Sequence, residues 1–400
     1  MTTTLAEAPF RITDGPQRHA WYAKLAATAP VHRVALPTGQ TAWLITGYDE
    51  IRHALQDPRL VKNEATMAVL SPGQLSPEVL AAMGSHMLHR NPPDHTRLRR
   101  LVTAAFTRRR VEQLAPRIQQ ITDNLLDTMA TKARADLIDS FALPLPITVI
   151  CELIGVPADQ FADFHNWSAT IVTGALADPD AYSCAATAMV QYLRELLAIK
   201  RAAPVDDLLS ALIAVRDGQD RLSENELISM VFLILAAGHE TTANLIGNGV
   251  LALLTHPEQL ALLRAQPHRL PDAVEELLRF DGALQVAPSR FAAEPVDIGG
   301  VIIPAGEMVI AGLLAANRGQ ACAVQPDTLD ITRSEKTHLA FGHGIHHCPG
   351  APLARLEGRI ALGALLTRFP QLRLAVPAKQ LTWRPGTLIN GLDALPVILR

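Results

Sequence analysis

The segment from Ser223 to Thr255 reads as one uninterrupted helix, and its length sets the scale of the fold. Ser223 with Glu226 three residues later is the pattern of a capping box at a helix start, and Pro257 follows the end of the pattern. About 32 residues at 1.5 Å rise span roughly 48 Å, enough to cross a whole domain. Helical periodicity also dominates the chain from Pro16 to Thr255, so we predict a mainly α-helical protein.

Strand signals are few and short. Val31 to Val34 with Thr41 to Thr46 predict one hairpin, and Val301 to Ile303, turning into Met308 to Ala311, predict another. We therefore expect small β-sheets at the periphery of the helical fold.

Two long segments, Asn63 to Asn91 and Arg318 to His338, fit neither helix nor strand. Segments of this kind are either binding loops or plain surface irregularity, and the sequence leaves both open. Neither an internal repeat nor a flexible linker divides the chain, so we predict a single domain over residues 1–400, with residues 1–15 flexible.

The 400 residues are 48% hydrophobic and 19% charged, which indicates a globular chain with a large core. Lys and Arg number 36 against 39 Asp and Glu, so a global basic field for nucleic acid or an anionic membrane is absent. The first residues lack a signal-peptide pattern, and the longest uncharged apolar stretch, Leu227 to Gly238, is shorter than the roughly 20 residues that span a bilayer. We expect a soluble, cytoplasmic protein that binds neither nucleic acid nor membrane.

Cys348 lies in the sharpest local pattern, a glycine-rich run from Phe341 to Gly350 directly before a predicted helix. A helix N-terminus lowers the pKa of a thiol and favours the thiolate that binds iron. Two alternatives are a buried structural cysteine and a zinc site built from Cys348 with His343, His346 and His347. Three consecutive ligands converge poorly on zinc, which counts against that alternative.

The centre of the long helix interrupts its apolar pattern with Gly238, Glu240 and Thr241. Gly238 would open space for a small ligand, and Glu240 with Thr241 would relay protons to bound dioxygen. The alternative is that Thr241 bonds back to the carbonyl of Ala237 and that Gly238 merely eases packing. The residues alone leave the two interpretations at even weight.

The run from Phe341 to Gly350 resembles the haem-binding loop of the cytochrome P450 family, F-G-x-G-x-H-x-C-x-G. The specified positions are filled by Phe341, Gly342, Gly344, His346, Cys348 and Gly350. The resemblance implies that Cys348 is the axial thiolate ligand of haem b and that His346 contacts a haem propionate. It extends to the helix centre, where Ala237 and Gly238 would lie against the haem and Glu240 and Thr241 match the acid and alcohol of the oxygen-activation motif.

His95 and Arg99 are four residues apart on one predicted helix face, where they would clamp a carboxylate or simply carry surface charge. They match the propionate-binding D-H-x-x-x-R of the family, and Arg290 resembles a third propionate contact.

Glu276 and Arg279 form the ExxR pair, which is buried in P450s and usually joined by a second arginine from a D-R-F-D segment. Here Thr328 and Leu329 occupy the arginine and phenylalanine positions of that segment. We predict that Arg318 or Arg333 substitutes, or that the local stability is lower.

Seven arginines lie close together along the chain, at Arg90, Arg97, Arg99, Arg100, Arg108, Arg109 and Arg110. The segment has too few aromatic residues for nucleic-acid binding, and the chain is net acidic. The resemblance implies that the segment flanks the proximal haem face and attracts an acidic electron carrier.

The implied activity is that of a bacterial-type, soluble haem-thiolate monooxygenase. It would take electrons from NAD(P)H through a ferredoxin reductase and a ferredoxin, use O2, and oxidise a C–H bond of a mid-sized lipophilic molecule such as a macrolide, terpenoid or steroid. Alternatives are aromatic coupling or epoxidation on the same haem, and a haem protein without turnover. Candidate substrate contacts are mostly apolar: Met67, Met87, Leu233, Leu284, Val286, Leu388 and Ile389.

Overall fold

The long helix runs from Glu224 to Thr255 in the computed structural model, as the sequence predicts. The capping box is formed: the Glu226 carboxylate accepts from the Ser223 N–H at 2.8 Å, and the Ser223 hydroxyl accepts from the Glu226 N–H at 3.3 Å. The structure describes residues 5–6, 8–62, 75–173, 178–215 and 220–400.

The chain divides into two compact units. The first comprises Met1–Val61, Ala115–Leu145 and Thr241–Arg400, and the second Lys62–Leu114 and Pro146–Glu240. All strands that the structure describes belong to the first unit, so the described part of the second unit is helical and irregular.

The described α-helices are numbered in chain order: α1 Gly15–Thr28, α2 Tyr48–Gln56, α3 Pro77–Gly84, α4 Asp94–Ala105, α5 Arg108–Gln113, α6 Ala115–Ala130, α7 Pro144–Ile154, α8 Phe161–Thr173, α9 Pro179–Ala202, α10 Leu208–Ala214, α11 Glu224–Thr255, α12 Pro257–Ala265, α13 Leu270–Asp281, α14 Leu313–Asn317 and α15 Ala351–Arg368. The strands are β1 Val31–Ala35, β2 Thr41–Ile45, β3 Leu60–Val61, β4 Arg134–Asp136, β5 Arg290–Ala292, β6 Val296–Ile298, β7 Val301–Ile303, β8 Met308–Ala311, β9 Arg373–Leu374 and β10 Pro396–Ile398. The mainly α prediction with small sheets is confirmed.

The largest sheet has the order β1-β2-β8-β5-β3. Strands β1 and β2 form the first predicted hairpin, with Val31 opposite Ile45. Strand β8 lies between β2 and β5, which pair with its two edges. All of its residues are buried, so both of its faces are covered as well.

The second predicted hairpin is wrong. Strand β7 pairs with β6 rather than with β8, through a two-residue turn at Gly299 and Gly300. Both glycines have positive φ, +59° and +80°, which is the geometry that a tight hairpin turn of this hand requires. The Gly299-Gly300 pair is the sequence feature that indicates the β6–β7 hairpin. It determines the partner of β7, and the Pro-Ala-Gly segment before β8 forms no hairpin with it.

The irregular segment predicted from Asn63 to Asn91 contains helix α3. Ser76 caps this helix, its hydroxyl accepting from the Val79 N–H at 3.3 Å, and Pro77 opens the first turn. Residues 63–74 lie outside the described residues. The segment from Arg318 to His338 has neither helix nor strand, as predicted.

Among the described helices, α11 is long and apolar enough to cross a membrane by length and composition alone. Inside the structure, 61% of its most apolar window is buried by protein, as is typical of a core helix.

Candidate functional site

The Cys348 loop is held by its own backbone in the first unit. The Cys348 N–H donates to the Phe341 carbonyl at 2.9 Å, and α15 begins three residues after the cysteine. Gly342 and Gly344 have φ of +71° and +72°. A Cβ at Gly344 would lie 2.7 Å from the Leu55 carbonyl oxygen, so only glycine fits there. A Cβ at Gly350 would lie 3.7 Å from Cys348 Sγ, in ordinary van der Waals contact, so Gly350 is the neighbour of the thiol at the start of α15.

The other cysteines differ from Cys348 in their surroundings. None of the four forms a disulfide. Burial raises the pKa of Cys151 to about 12 and that of Cys322 to about 11, so both stay protonated and inert near neutral pH. The described residues contain no group of three or more His, Cys, Asp or Glu that could hold a metal ion, which counts against the zinc alternative at Cys348.

Arg290 opens strand β5 beside the Cys348 loop. Its Nη1 donates to the Leu60 carbonyl at 3.2 Å and its Nη2 to the Leu55 carbonyl at 3.0 Å, the same carbonyl that Gly344 approaches. The buried Nε has no hydrogen-bond partner, and Arg290 forms no salt bridge within the described chain. Burial lowers the pKa of Arg290 to about 10. A buried cation with a spare donor fits an anionic group such as a propionate.

The ExxR pair is formed and buried. Arg279 donates to both oxygens of Glu276 at 2.8 Å, and it also donates to the carbonyls of Asn317, Pro326 and Thr328. The Asn317 side chain in turn accepts from the Leu339 N–H at 2.7 Å, two residues before Phe341. The pair therefore braces the segment that leads into the Cys348 loop.

Arg333 takes the place of the arginine that Thr328 replaces. Its Nε lies 3.3 and 3.4 Å from the two oxygens of Glu276, and its remaining donors bind the carbonyls of Val324, Gln325 and Thr328. Arg318 does not substitute: it donates to the Phe280 carbonyl, pairs with Asp327 at 3.3 Å and stacks on the Phe280 ring. The buried Glu276 thus has two guanidinium partners.

Glu275 and Arg355 are two residues to which the sequence analysis assigned no role. Arg355 of α15 donates to both oxygens of Glu275 of α13 at 2.6 and 2.8 Å, and its guanidinium lies 4.5 Å from the centre of the Phe341 ring. The adjacent sequence positions of Glu275 and Glu276 gave no sign that the two carboxylates bind different arginines.

Helix α11 presents a stripe of accessible residues at its centre. Leu233, Ala237 and Thr241 are spaced four apart on one face and are partly or fully accessible, whereas Leu235 and His239 between them are buried. The stripe contains Ala237 and Thr241 of the candidate oxygen-activation motif, whereas Glu240 is buried outside it. Gly238 lies on another side, where a Cβ would come within 3.2 Å of the Ile150 side chain, so helix packing is sufficient reason for that glycine.

His239 is the fully buried neighbour of Glu240. Its Nδ1–H donates to the Leu235 carbonyl at 2.8 Å, which leaves Nε2 as the acceptor, 3.5 Å from the Ser168 hydroxyl and 3.9 Å from the Glu240 carboxylate. Burial lowers the pKa of His239, so the ring is neutral near pH 7. Glu240 itself is 5% exposed.

His95 and Arg99 lie on α4 in the second unit, with His95 buried and Arg99 half-buried. The predicted helix and the shared face of the two residues are confirmed. In the arginine-rich segment, Arg97 is paired with Asp220 and Glu226 at the start of α11. Arg97 therefore stabilises the start of α11, whereas the side chains of Arg100, Arg108 and Arg109 are exposed.

The substrate candidates of the first unit come together although about a hundred residues separate them. Leu284 and Ile389 form an antiparallel bridge, and the Gln285 N–H donates to the Leu388 carbonyl at 2.8 Å. Val286 is buried next to this bridge. In the second unit, Met87 is buried and Leu233 half-buried, and Met67 lies outside the described residues.

Comparison with known proteins agrees with this geometry. The cytochrome P450 family model matches residues 180–380. The chain is 52% identical to Cytochrome P450 107B1 of Saccharopolyspora erythraea, over 95% of this chain and 94% of that protein. It is 49% identical to the Vitamin D(3) 25-hydroxylase of Pseudonocardia autotrophica, over 100% of this chain and 98% of that protein. The solved structure of the tirandamycin C-bound P450 monooxygenase TamI superposes with a TM-score of 0.87 at 46% identity, covering 97% of this chain and 98% of that one.

The loop, the buried ExxR network and the helix centre are those of a haem-thiolate protein, and the chain belongs to the cytochrome P450 family. It is a monooxygenase that uses haem b and acts on a lipophilic substrate. The Cys348 thiol and the spare donor of buried Arg290 fit a haem: Cys348 would hold the iron as a thiolate, and Arg290 would bind an anionic propionate.

Proposed function

We propose that this P450 inserts one oxygen atom of O2 into a C–H bond of a macrolide, terpenoid or steroid type of molecule. In the overall reaction the C–H and O–O bonds break, a hydroxyl forms on the substrate, and two electrons and two protons convert the second oxygen atom to water. The apolar character of Leu284, Val286, Leu388 and Ile389 supports a lipophilic substrate. Leu233 and Met87 belong to the same proposed set, as does Met67.

Cys348 carries the proposal, because its loop holds a thiol directly before the N-terminus of α15. Bound haem supplies the iron at which dioxygen is activated. Cys348 would hold that iron as a thiolate, which the helix N-terminus stabilises. Phe341, Gly342 and Gly350 would shape the loop around the ligand.

The propionates would be held by cations of the chain. Arg290 has a spare buried Nε for this purpose, and His95, Arg99 and His346 complete the proposed set. Because both Nη atoms of Arg290 already bind backbone carbonyls, Arg290 would contribute one donor, its Nε, to the carboxylate.

Proton delivery falls to Glu240 and Thr241. The Thr241 hydroxyl would donate a proton towards dioxygen, and the Glu240 carboxyl would restore it. Ala237, one turn earlier on the same face of α11 as Thr241, would lie against the haem, whereas Gly238 faces the Ile150 side chain and is left out of this set.

The electron source proposed here is a ferredoxin reduced by an NAD(P)H-dependent reductase. Exposed Arg100 and Arg109 would attract an acidic carrier. Arg97 is excluded because it pairs with Asp220 and Glu226, and Arg108 because it pairs with Glu112. We also propose that the chain is one P450 domain in the cytoplasm, since its relatives match it over nearly their whole length.

The reason to consider a haem protein without turnover is the arginine missing at Thr328. Arg333 supplies the second guanidinium on Glu276, which removes that reason. Aromatic coupling and epoxidation remain outcomes of the test.

The test is an optical titration of the purified ferric protein with a panel of macrolides, terpenoids and steroids. A ligand that moves the iron from low to high spin identifies the substrate class. Turnover of that ligand with a surrogate ferredoxin, its reductase and NADPH should then give a product heavier by one oxygen atom. A product that has lost two hydrogens without gaining oxygen would replace hydroxylation with coupling. Absence of a thiolate-bound haem spectrum would overturn the proposal.

A further inference from the structure

Three side chains form a continuous path from the protein surface to the Cys348 loop. The Glu275 carboxylate is bound by Arg355 through Nε and Nη2. The central carbon of the Arg355 guanidinium, Cζ, lies over the Phe341 ring at 4.5 Å from the ring centre. A cation in that position is attracted by the face of the ring, so Arg355 fixes the ring while Glu275 fixes Arg355.

His338 completes the cluster through a further hydrogen bond to the same carboxylate. Its Nδ1 accepts from the Ala340 N–H at 3.2 Å, so in the neutral ring the hydrogen is on Nε2, which donates to Glu275 at 3.1 Å. The imidazole side chain is 4% exposed. Burial would raise the pKa of Glu275, but hydrogen bonds from Arg355 and His338 hold it at about 2, so the carboxylate is ionised at neutral pH. One negative and one positive charge then balance.

The cluster is coupled to the cysteine through the backbone of Phe341. The ring of Phe341 contacts Arg355, while its carbonyl accepts the Cys348 N–H at 2.9 Å. The charges of Glu275 and Arg355 therefore lie next to Phe341, the residue whose carbonyl holds the Cys348 backbone.

A balanced pair has a small electrostatic effect on that thiolate, and an unbalanced one has a large effect. Reduction of an iron centre adds one negative charge, which a nearby cation stabilises and a nearby anion opposes. Solvent screens the effect of these charges on the iron only in part, because the Glu275 side chain is 18% exposed and that of Arg355 is 39% exposed.

We propose that Glu275 and Arg355 are positioning residues that set the reduction potential of the thiolate-bound haem by keeping the charge beside Phe341 balanced. This inference rests on the proposed function, because it needs Cys348 to be the axial ligand. A purely structural role, in which the pair only joins α13 to α15, predicts loss of stability but no ordered change of potential.

The experiment measures the ferric-to-ferrous potential of the holoprotein by spectroelectrochemistry in Glu275→Gln, Arg355→Met and the double variant. Glu275→Gln leaves the guanidinium uncompensated and should raise the potential, whereas Arg355→Met leaves the carboxylate uncompensated and should lower it. We expect each single change to alter the one-electron reduction equilibrium up to about tenfold, which is about 59 mV. The double variant restores the balance and should return close to the original potential.

Two controls accompany these variants. Arg368→Met breaks an exposed ion pair with Asp127 on the far end of α15 and should leave the potential unchanged. Arg355→Lys keeps the charge and should shift the potential less than Arg355→Met. Should Glu275→Gln fail to retain haem, Glu275→Asp keeps the negative charge and should leave the potential near its original value, while Arg355→Met should still lower it; equal potentials in these two variants would overturn the inference.

Shifts of the same sign in both single variants, or no shift in either, would overturn the inference. The absorption of the ferrous carbon monoxide complex separates the two levels of the proposal. If the unmodified protein lacks the signature of a thiolate ligand, the proposed function fails. If every variant keeps that signature and the potentials do not move in opposite directions, only the role of Glu275 and Arg355 fails.

Discussion

Arg333 contacts both carboxylate oxygens of Glu276 from five residues beyond Thr328, the position where P450s usually carry this arginine. Its guanidinium reaches back across the irregular segment and binds the Thr328 carbonyl as well. The same buried carboxylate is therefore satisfied by an arginine from a different position in the chain, because only the place of the guanidinium matters to Glu276.

Removal of Arg333 should destabilise the protein. Arg333→Met would leave Glu276 with Arg279 as its only cationic partner, and we expect a loss of about 2 to 3 kcal/mol in the free energy of unfolding, measured by urea denaturation. Thr328→Arg in the same background should recover part of the loss. If Arg333→Met costs no more than Arg368→Met at the exposed pair with Asp127, Arg333 does not take the missing position.

Gly342 and Gly344 offer a matched pair in the Cys348 loop. Both have positive φ, so alanine at either position should cost about 1 to 2 kcal/mol of stability. Only Gly344→Ala also drives a Cβ into the Leu55 carbonyl, whereas the space beside Gly342 is open. We expect Gly344→Ala to lose haem during purification and Gly342→Ala to retain it, as measured by the ratio of Soret to protein absorbance. Equal haem content in the two would contradict this account.

Thr241→Ala should uncouple electron use from product formation. Haem and substrate should still bind, because the change removes only one hydroxyl and one methyl group from a half-buried side chain, but electrons should be diverted to hydrogen peroxide. The measurement is peroxide formed per NADPH consumed. Thr255→Ala at the exposed end of the same helix, where the hydroxyl bonds only to backbone carbonyls and His256, is the control. Unchanged coupling in Thr241→Ala would remove Thr241 from proton delivery.

Glu357 should make the protein less stable as pH rises. This carboxyl is 1% exposed, its Oε2 has no hydrogen-bond partner, and burial raises its pKa from 4.5 to about 8. The folded state holds the proton up to about pH 8, whereas the unfolded chain releases it near 4.5, so stability is full below pH 4.5 and declines as pH rises to about 8.

Glu357→Gln removes this titration and keeps the shape of the side chain. The variant should therefore gain stability relative to the unmodified protein at pH 8 compared with pH 5, by a few kcal/mol at most. Thermal melts at the two pH values test this, with the exposed Glu258→Gln as a control that should not change the difference. The same pH dependence in Glu357→Gln as in the unmodified protein would mean that another group is responsible.

If the proposed electron carrier is a ferredoxin, charge reversal at Arg109 should weaken its binding. Arg109→Glu is expected to raise the KM for the carrier severalfold at low salt, with less effect at high salt, because exposed charges act mainly through steering. Lys379→Glu makes the same change on an exposed lysine outside the segment and should leave the KM unaltered. Equal effects of the two would indicate a response to net charge alone.

The features that were predicted correctly from the sequence depend mostly on residues close together along the chain. The capping box at Ser223 and Glu226 is formed because its partners are three residues apart, and the β1–β2 hairpin because its strands are neighbours. The second hairpin failed where two local turn signals competed, and Gly299 with Gly300 prevailed because both can adopt positive φ. The motif around Cys348 is equally local, so the family and the cofactor could be inferred from it.

The pairing of charges across long stretches of chain was decided only by the tertiary structure. Sequence proposed Arg318 or Arg333 for Glu276, and the fold selected Arg333 because Arg318 is held on the Phe280 ring. Likewise the local spacing pairs Glu276 with Arg279 but assigns no partner to Glu275, and only the fold brings Arg355 of α15 to Glu275 and Arg333 to Glu276. A buried charge is stable only where a partner arrives in three dimensions, and sequence spacing does not encode that arrival.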